Sequence, residues 1–174
     1  MKIFAFIFLL NWAFAEDLKI KNPIVVSNSE FQSEVNHIFN KFNVKAISVD
    51  TLDSYIKNNK KIILLDVRSN EEYRVSHLKN SINLNVDEFN YEKFIKNLHK
   101  ESLVVVYCAA GFRSSVVSEK LQKEGVLSYS LFGGIIEWSN RNYHLFDNNE
   151  KVTKRIHAVN EKWSKWIKTS EKVY

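Results

Sequence analysis

The stretch VVVYCAAGFRSS, residues 104–115, decides the fold. An apolar run, the most apolar in the chain, stops at Cys108, the only cysteine among 174 residues. A helical pattern begins at Arg113 or Ser114, and only a short glycine-bearing loop lies between. The local order is therefore strand, loop, helix. Cys108 is either a buried core thiol or a nucleophile held in that loop, and the cysteine alone does not decide.

Outward from this stretch, short apolar runs alternate with helical patterns. KAISV (45–49), KIILLDV (61–67), SINLNV (81–86) and SYSLF (128–132) read as the other strands. The continuous apolar character of KIILLDV marks a strand buried on both faces. Helices are expected from Asp50 to about Asn58, within SNEEYRVSHL (69–78), within VDEFNYEKFIKNL (86–98), over RSSVVSEKLQKEG (113–125), where Gly125 supplies a stop, and over GIIEWSNRN (134–142). Such alternation predicts an α/β fold with a mainly parallel sheet covered by helices. Sites in such sheets lie at the carboxyl ends of strands, where Cys108 falls.

The ends of the chain read differently. MKIFAFIFLLNWAFAED has Lys2, an apolar run from Ile3 to Leu10, and the small-x-small sequence Ala13-Phe14-Ala15. That is the pattern of a cleaved secretory signal peptide over residues 1–15, implying export to a periplasm or beyond the cell. A membrane anchor, the other reading, needs about 20 apolar residues, and Asn11 and Glu16 interrupt this run. No later segment is expected to span a bilayer. Residues 16–43 read as a linker and a short helix, with Ser29 and Gln32 as a capping box and Phe31, Val35, Ile38 and Phe42 at helical spacing. The α/β domain occupies 44–147. Residues 148–174 read as a basic helical extension with seven Lys/Arg against three Glu, and with Ile156, Val159, Trp163, Trp166 and Ile167 on one stripe that docks on the domain.

The formal net charge is +5, and removal of Lys2 with residues 1–15 leaves 24 − 20 = +4. That modest excess sits in the tail and reads as a solvated surface, with no nucleic-acid motif. One cysteine allows no intramolecular disulfide, so in an oxidising compartment the thiol is hidden or functional. His37, His99, His144 and His157 lack metal-ligand spacing with each other or with Cys108, so no metal is expected.

The loop has features that suit an anion. Gly111 accepts backbone angles closed to other residues, and small Ala109 and Ala110 leave room above the sulfur. Loop N–H groups and a helix N-terminus favour a thiolate, a persulfide anion or a bound oxyanion. All four glycines, Gly111, Gly125, Gly133 and Gly134, lie between this loop and the last helix of the domain.

Three ordered segments then carry a family resemblance. LLDVRSNEEYRVSHLKNSINL (64–84), VVVYCAAGFRS (104–114) and LFGGIIEW (131–138) resemble the D-x-R, C-x-x-G-x-R-S and L-x-G-G-x-x-x-W segments of single-domain rhodaneses. The resemblance implies a rhodanese-like fold, with a five-stranded mainly parallel sheet and helices on both faces. It also implies sulfur transfer from a small donor such as thiosulfate to a thiophilic acceptor, small or protein, through a persulfide on Cys108. The residues Ala109, Ala110, Gly111, Phe112, Arg113 and Ser114 would surround the anion, with Arg113 and the loop amides holding it. Asp66 and Arg68 would support the site, Arg68 pairing with a carboxylate such as Glu72 and Asp66 bonding near the loop. No metal or organic cofactor is implied. Two departures stand out: Ser76 replaces the usual glycine before His77, and Ala109 stands where many members have Arg or Lys. The second leaves the substrate open.

Two other classes compete. A phosphatase or arsenate reductase places five residues between Cys and Arg, whereas four separate Cys108 from Arg113 here. A non-catalytic binding module would not need Cys108, Gly111 and Arg113 together.

Overall fold

The computed structural model describes residues 24–84, 89–99 and 102–174. Residues 1–15, expected to be a signal peptide, lie outside them, as does the linker up to residue 23.

Five strands form one sheet: β1 Ala46–Ile47, β2 Ile62–Asp66, β3 Ile82–Asn83, β4 Leu103–Tyr107 and β5 Ser128–Leu131. Their order is β1-β5-β4-β2-β3, and every neighbouring pair is parallel. β4 is central and all five of its residues are buried. Its side chains alternate between two cores. Leu103, Val105 and Tyr107 join Phe31, Val35, Leu52 and Ile136 on one side. Val104, Val106 and Cys108 join Leu65, Val117 and Leu121 on the other. An uninterrupted apolar run is what a strand covered on both faces requires.

The helices are α1 Ser29–Phe39, α2 Val49–Lys57, α3 Asn70–Val75, α4 Tyr91–Lys96, α5 Phe112–Lys123, α6 Gly134–Asn140 and α7 Glu161–Ser164. α1, α2 and α6 cover the first face; α4 and α5 cover the second. The expected α/β architecture with helices on both faces is what forms.

Two local expectations need correction. α1 is capped by Asn28, whose side chain accepts from the Phe31 amide at 2.9 Å, while Gln32 Oε1 reaches back to the Val26 amide at 2.6 Å. The Ser29/Gln32 box therefore does not form; the cap is Asn28, one residue earlier, a residue type as favoured there as serine. The capping box lies instead at α3, where Ser69 and Glu72 exchange bonds of 3.0 and 3.2 Å.

The tail docks, but not as one helix. β6 Leu145–Phe146 pairs with β7 Val152–Thr153, and β8 Arg155–His157 pairs in parallel with β9 Glu171–Val173. α7 is a single turn between β8 and β9. Val159 has φ +62°, a conformation that ends any helix begun at Ile156 and that a β-branched residue rarely adopts. The stripe still packs: Ile156, Trp166 and Ile167 are buried, and Trp166 stacks on Phe31 of α1 with ring centroids 5.6 Å apart. Apolar contact with the domain drives the docking whichever backbone shape carries it.

Candidate active site

β4 delivers Cys108 to the carboxyl edge of the sheet, and the chain turns at once through Ala109, Ala110 and Gly111 into α5. Gly111 has φ +127°, and a Cβ there would lie 2.5 Å from the Phe39 ring, so both angle and space select glycine. Its N–H donates to Cys108 Sγ at 3.2 Å. Gly111 also caps α5 without offering a side-chain acceptor. The N–H groups of Ala109, Ala110, Phe112, Arg113 and Ser114 find no acceptor among the described residues. They lie in or directly after the Cys108 loop, at the positive end of a twelve-residue helix with no acidic residue in its first turn. Unsatisfied donors and a helix dipole of this kind stabilise an anion.

The loop is clamped from behind by α6. Ile135 N–H donates to the Cys108 carbonyl at 2.9 Å, and Ile136 N–H to the Ala109 carbonyl at 3.1 Å. Gly134, at φ +57°, permits this approach: a Cβ there would lie 2.4 Å from the Cys108 carbonyl oxygen. Gly134 therefore serves the cysteine loop through its backbone, while a Cβ at Gly133 would meet Glu137 and Val26.

Arg113 is tied to Glu72. Its Nη1 and Nη2 donate to Glu72 Oε2 and Oε1 at 2.7 and 2.8 Å. Burial works against the Arg113 charge, but the Glu72 hydrogen bonds and attraction to Cys108 and Glu72 outweigh it and raise its pKa. Arg68 also departs from expectation. It pairs with Asp66, not Glu72: Nε reaches Oδ1 at 2.9 Å and Nη2 reaches Oδ2 at 2.6 Å, with both side chains fully buried. Nη2 further donates to the Ser76 carbonyl at 2.6 Å. Asp66 and Arg68 thus tie the end of β2 to the turn after α3, and Asp66 makes no hydrogen bond to the cysteine loop. Ser76 adopts ordinary extended backbone (φ −169°), so its lack of the family glycine strains nothing.

One group escapes sequence reasoning. Ser130 of β5 hydrogen-bonds Ser114 Oγ at 2.9 Å and accepts from Ser115 Oγ at 3.3 Å, all three fully buried. The Ser114 hydroxyl lies 3.1 Å from the Gly111 carbonyl and 3.5 Å from Cys108 Sγ. Ser115 donates to Ser130, which shares a hydrogen bond with Ser114, and the Ser114 hydroxyl has both the Gly111 carbonyl and the sulfur within reach; such networks strengthen their members. The only signal in the sequence is a serine at every second position of an otherwise apolar strand.

Cys108 is 2% exposed, yet it lines a cavity of about 330 Å³ together with Ala109, Ala110, Phe112 and Arg113. Phe112 stands at the rim, half exposed, with its ring edge-on to Phe42 at 5.4 Å. Among the described residues no cluster of His, Cys, Asp or Glu could hold a metal ion, and no helix is long and apolar enough to cross a membrane.

The parallel sheet carries, at the end of β4, a cysteine loop with four residues between Cys108 and Arg113. Residues 48–141 correspond to the rhodanese-like domain. The chain belongs to the rhodanese-like family. The thiosulfate sulfurtransferase GlpE of Coxiella burnetii is 32% identical over 78 residues, covering 44% of this chain and 71% of that protein. A tRNA uridine(34) hydroxylase of the Aster yellows witches'-broom phytoplasma is 37% identical over 84 residues, 45% of this chain but only 27% of the relative. The match to a tRNA sulfurtransferase of Desulfurococcus amylolyticus covers 14% of that relative. The chain therefore spans a small part of the longer relatives. Among solved structures, a rhodanese-related protein from Thermoplasma volcanium superposes with a TM-score of 0.51 at 30% identity, covering 58% of this chain and 96% of that one. A thiosulfate sulfurtransferase from Pseudomonas aeruginosa shares the fold with a TM-score of 0.59 at 16% identity, covering 79% of this chain and 26% of that one.

Proposed function

We propose that this rhodanese-like protein is a sulfurtransferase that acts after export, taking a sulfane sulfur from a small donor such as thiosulfate and holding it as a persulfide on Cys108. The observation that carries this reading is the cradle: Gly111 N–H 3.2 Å from Sγ, an α5 N-terminus without a side-chain cap directly after the loop, and a cavity lined by Cys108.

The chemistry divides into two displacements. The Cys108 thiolate attacks the outer sulfur of thiosulfate; the new S–S bond forms, the old one breaks, and its electron pair leaves with sulfite. A thiophilic acceptor such as cyanide then attacks the terminal sulfur of the persulfide, and the electron pair returns to Sγ. Charge balances in both steps, with no oxidant needed. The loop amides stabilise the terminal sulfur anion between them. Donors of this kind are worth on the order of 3 kcal/mol each to a developing anion. Arg113 contributes its field while Glu72 fixes its position. Ala109 removes the basic side chain that would draw a dianion, so organic donors compete with thiosulfate.

The test is thiocyanate formation from thiosulfate and cyanide by wild type and Cys108→Ser, repeated with an organic thiosulfonate donor. Turnover with either donor that vanishes in the variant supports the reading. Equal rates in the two proteins contradict it.

A further inference from the structure

The cavity over Cys108 is not built by the rhodanese-like domain alone. Residues 48–141 supply its floor, from Cys108 to Arg113. Its walls come from outside that span: α1 and the residues just after it contribute Glu34, Ile38 and Lys41, and the tail contributes Val159, Lys162 and Trp163. Two contacts join these walls. Phe31 stacks on Trp166, and Lys162 Nζ lies 3.8 Å from Glu34 Oε2. Val159 holds its unusual positive φ while Ala158 N–H bonds the Val173 carbonyl at 2.7 Å, so the β8–β9 pairing fixes the wall residue in place. A strained non-glycine residue held by its surroundings at a pocket wall is a feature of shaped sites.

The lining has two characters. Ile38, Ala109, Ala110, Val159 and the half-buried Trp163 make an apolar body beside the sulfur. Charge is positive and partly unanswered. Arg113 is committed to Glu72 and Lys162 faces Glu34, but Lys41 has no carboxylate partner among the described residues. A volume of about 330 Å³ falls at the small end of ligand pockets.

We propose that these two extensions roof Cys108 to form an acceptor pocket for a small organic thiol that carries an apolar, preferably aromatic, body and a carboxylate. This rests on the sulfurtransferase reading. The apolar body packs on Trp163, the carboxylate faces Lys41, and the thiolate meets the persulfide. The acceptor thiolate attacks the terminal sulfur, a new S–S bond forms, the bond to Sγ breaks, and Cys108 recovers its thiolate. One anion and one persulfide anion give one organic persulfide anion and one thiolate, so charge is conserved. Cyanide is too small to use these walls.

The test uses full-length protein persulfidated beforehand with an organic polysulfide, and follows single-turnover discharge to 4-mercaptobenzoate and to 4-aminothiophenol, which is similar in size and whose amino substituent is uncharged at neutral pH. Wild type should favour the carboxylate, and Lys41→Glu should lower the rate ratio of the two thiols about tenfold, as expected when attraction becomes repulsion. Trp163→Ala should slow both thiols relative to cyanide by about tenfold, the range for losing a packed aromatic anchor. Unchanged ratios in Lys41→Glu overturn the pocket, whatever Trp163→Ala does. A binding measurement separates the two readings: calorimetry with 4-(methylthio)benzoate, which cannot accept sulfur, on wild type and Lys41→Glu. Binding weakened by the variant in a protein whose Cys108 never loads sulfur leaves the pocket standing and removes the sulfurtransferase function. Loading without any binding of this probe does the reverse.

Discussion

Glu72 and Arg113, forty-one residues apart, are joined by two parallel hydrogen bonds that tie the first turn of α3 to the first turn of α5. The same Glu72 carboxylate also closes the capping box on the Ser69 amide. The pair therefore fixes the start of the helix that follows the Cys108 loop.

Burial opposes the Glu72 charge, but the Arg113 hydrogen bonds and charge, with the Ser69 amide, outweigh it and hold its pKa below the usual carboxylate range. A carboxyl held low in the folded state contributes stability above its unfolded value of about 4.3 and loses it as pH falls through the folded value. Glu72→Gln should thus destabilise by about 1.5–3 kcal/mol at neutral pH. The gap to wild type, read from urea unfolding, should shrink as the pH is lowered past the folded value. A gap that stays constant or widens in acid would show that the carboxylate charge is not what stabilises.

Gly134 and Gly125 both have positive φ, yet their surroundings differ. A Cβ at Gly134 meets the Cys108 and Ala109 carbonyl oxygens at 2.4 and 2.5 Å, while nothing lies within 4 Å at Gly125. Gly125→Ala should cost about 1–2 kcal/mol, from left-handed backbone alone. Gly134→Ala should cost clearly more and slow sulfur transfer by displacing the loop. Equal thermal shifts for the two variants would remove the close approach from the account.

Ser130 touches neither sulfur nor solvent; it positions the Ser114 hydroxyl. Ser130→Ala should slow sulfur loading about fivefold, consistent with one neutral hydrogen bond of about 1 kcal/mol. Ser130→Thr, which keeps a hydroxyl, should recover most of the rate. Rates that track thermal stability instead of the hydroxyl would assign Ser130 to packing.

The two tryptophans of the tail play different parts. Trp166 is 4% exposed and stacks on Phe31, whereas Trp163 is half-buried and lines the cavity. Trp166→Ala should destabilise by about 3–5 kcal/mol, the range for a buried aromatic. Trp163→Ala should destabilise by about 1 kcal/mol, near the ordinary value for a single substitution. The reverse ranking in chemical denaturation would put the core contact at the wrong ring.

The sheet was legible because burial on both faces writes continuous apolar runs such as IILLD and LVVVY, and the loop because glycine spacing around Cys108 is specific. Partner choice among charges was not legible. Arg68 reaches Asp66 two residues back, which the two-residue period of extended chain permits, but nothing in the sequence says that Asp66 and not Glu72 takes the guanidinium. The Asp66 pairing left Glu72 free for Arg113, and the Ser69/Glu72 capping box was its one sequence signal. In the tail, apolar residues at helical spacing recorded which side chains are buried, while the β8–β9 pairing and the Val159 backbone decided how.

The central claim is that Cys108, though 2% exposed, carries sulfur in the native fold. Intact-mass and peptide mass spectrometry of native protein after exposure to thiosulfate or an organic thiosulfonate tests it most directly. The account predicts a gain of one sulfur atom on the peptide holding Cys108, released as thiocyanate on adding cyanide and absent in Cys108→Ser. A native protein that takes up no sulfur from either donor, and whose thiol reacts only after unfolding, would contradict it.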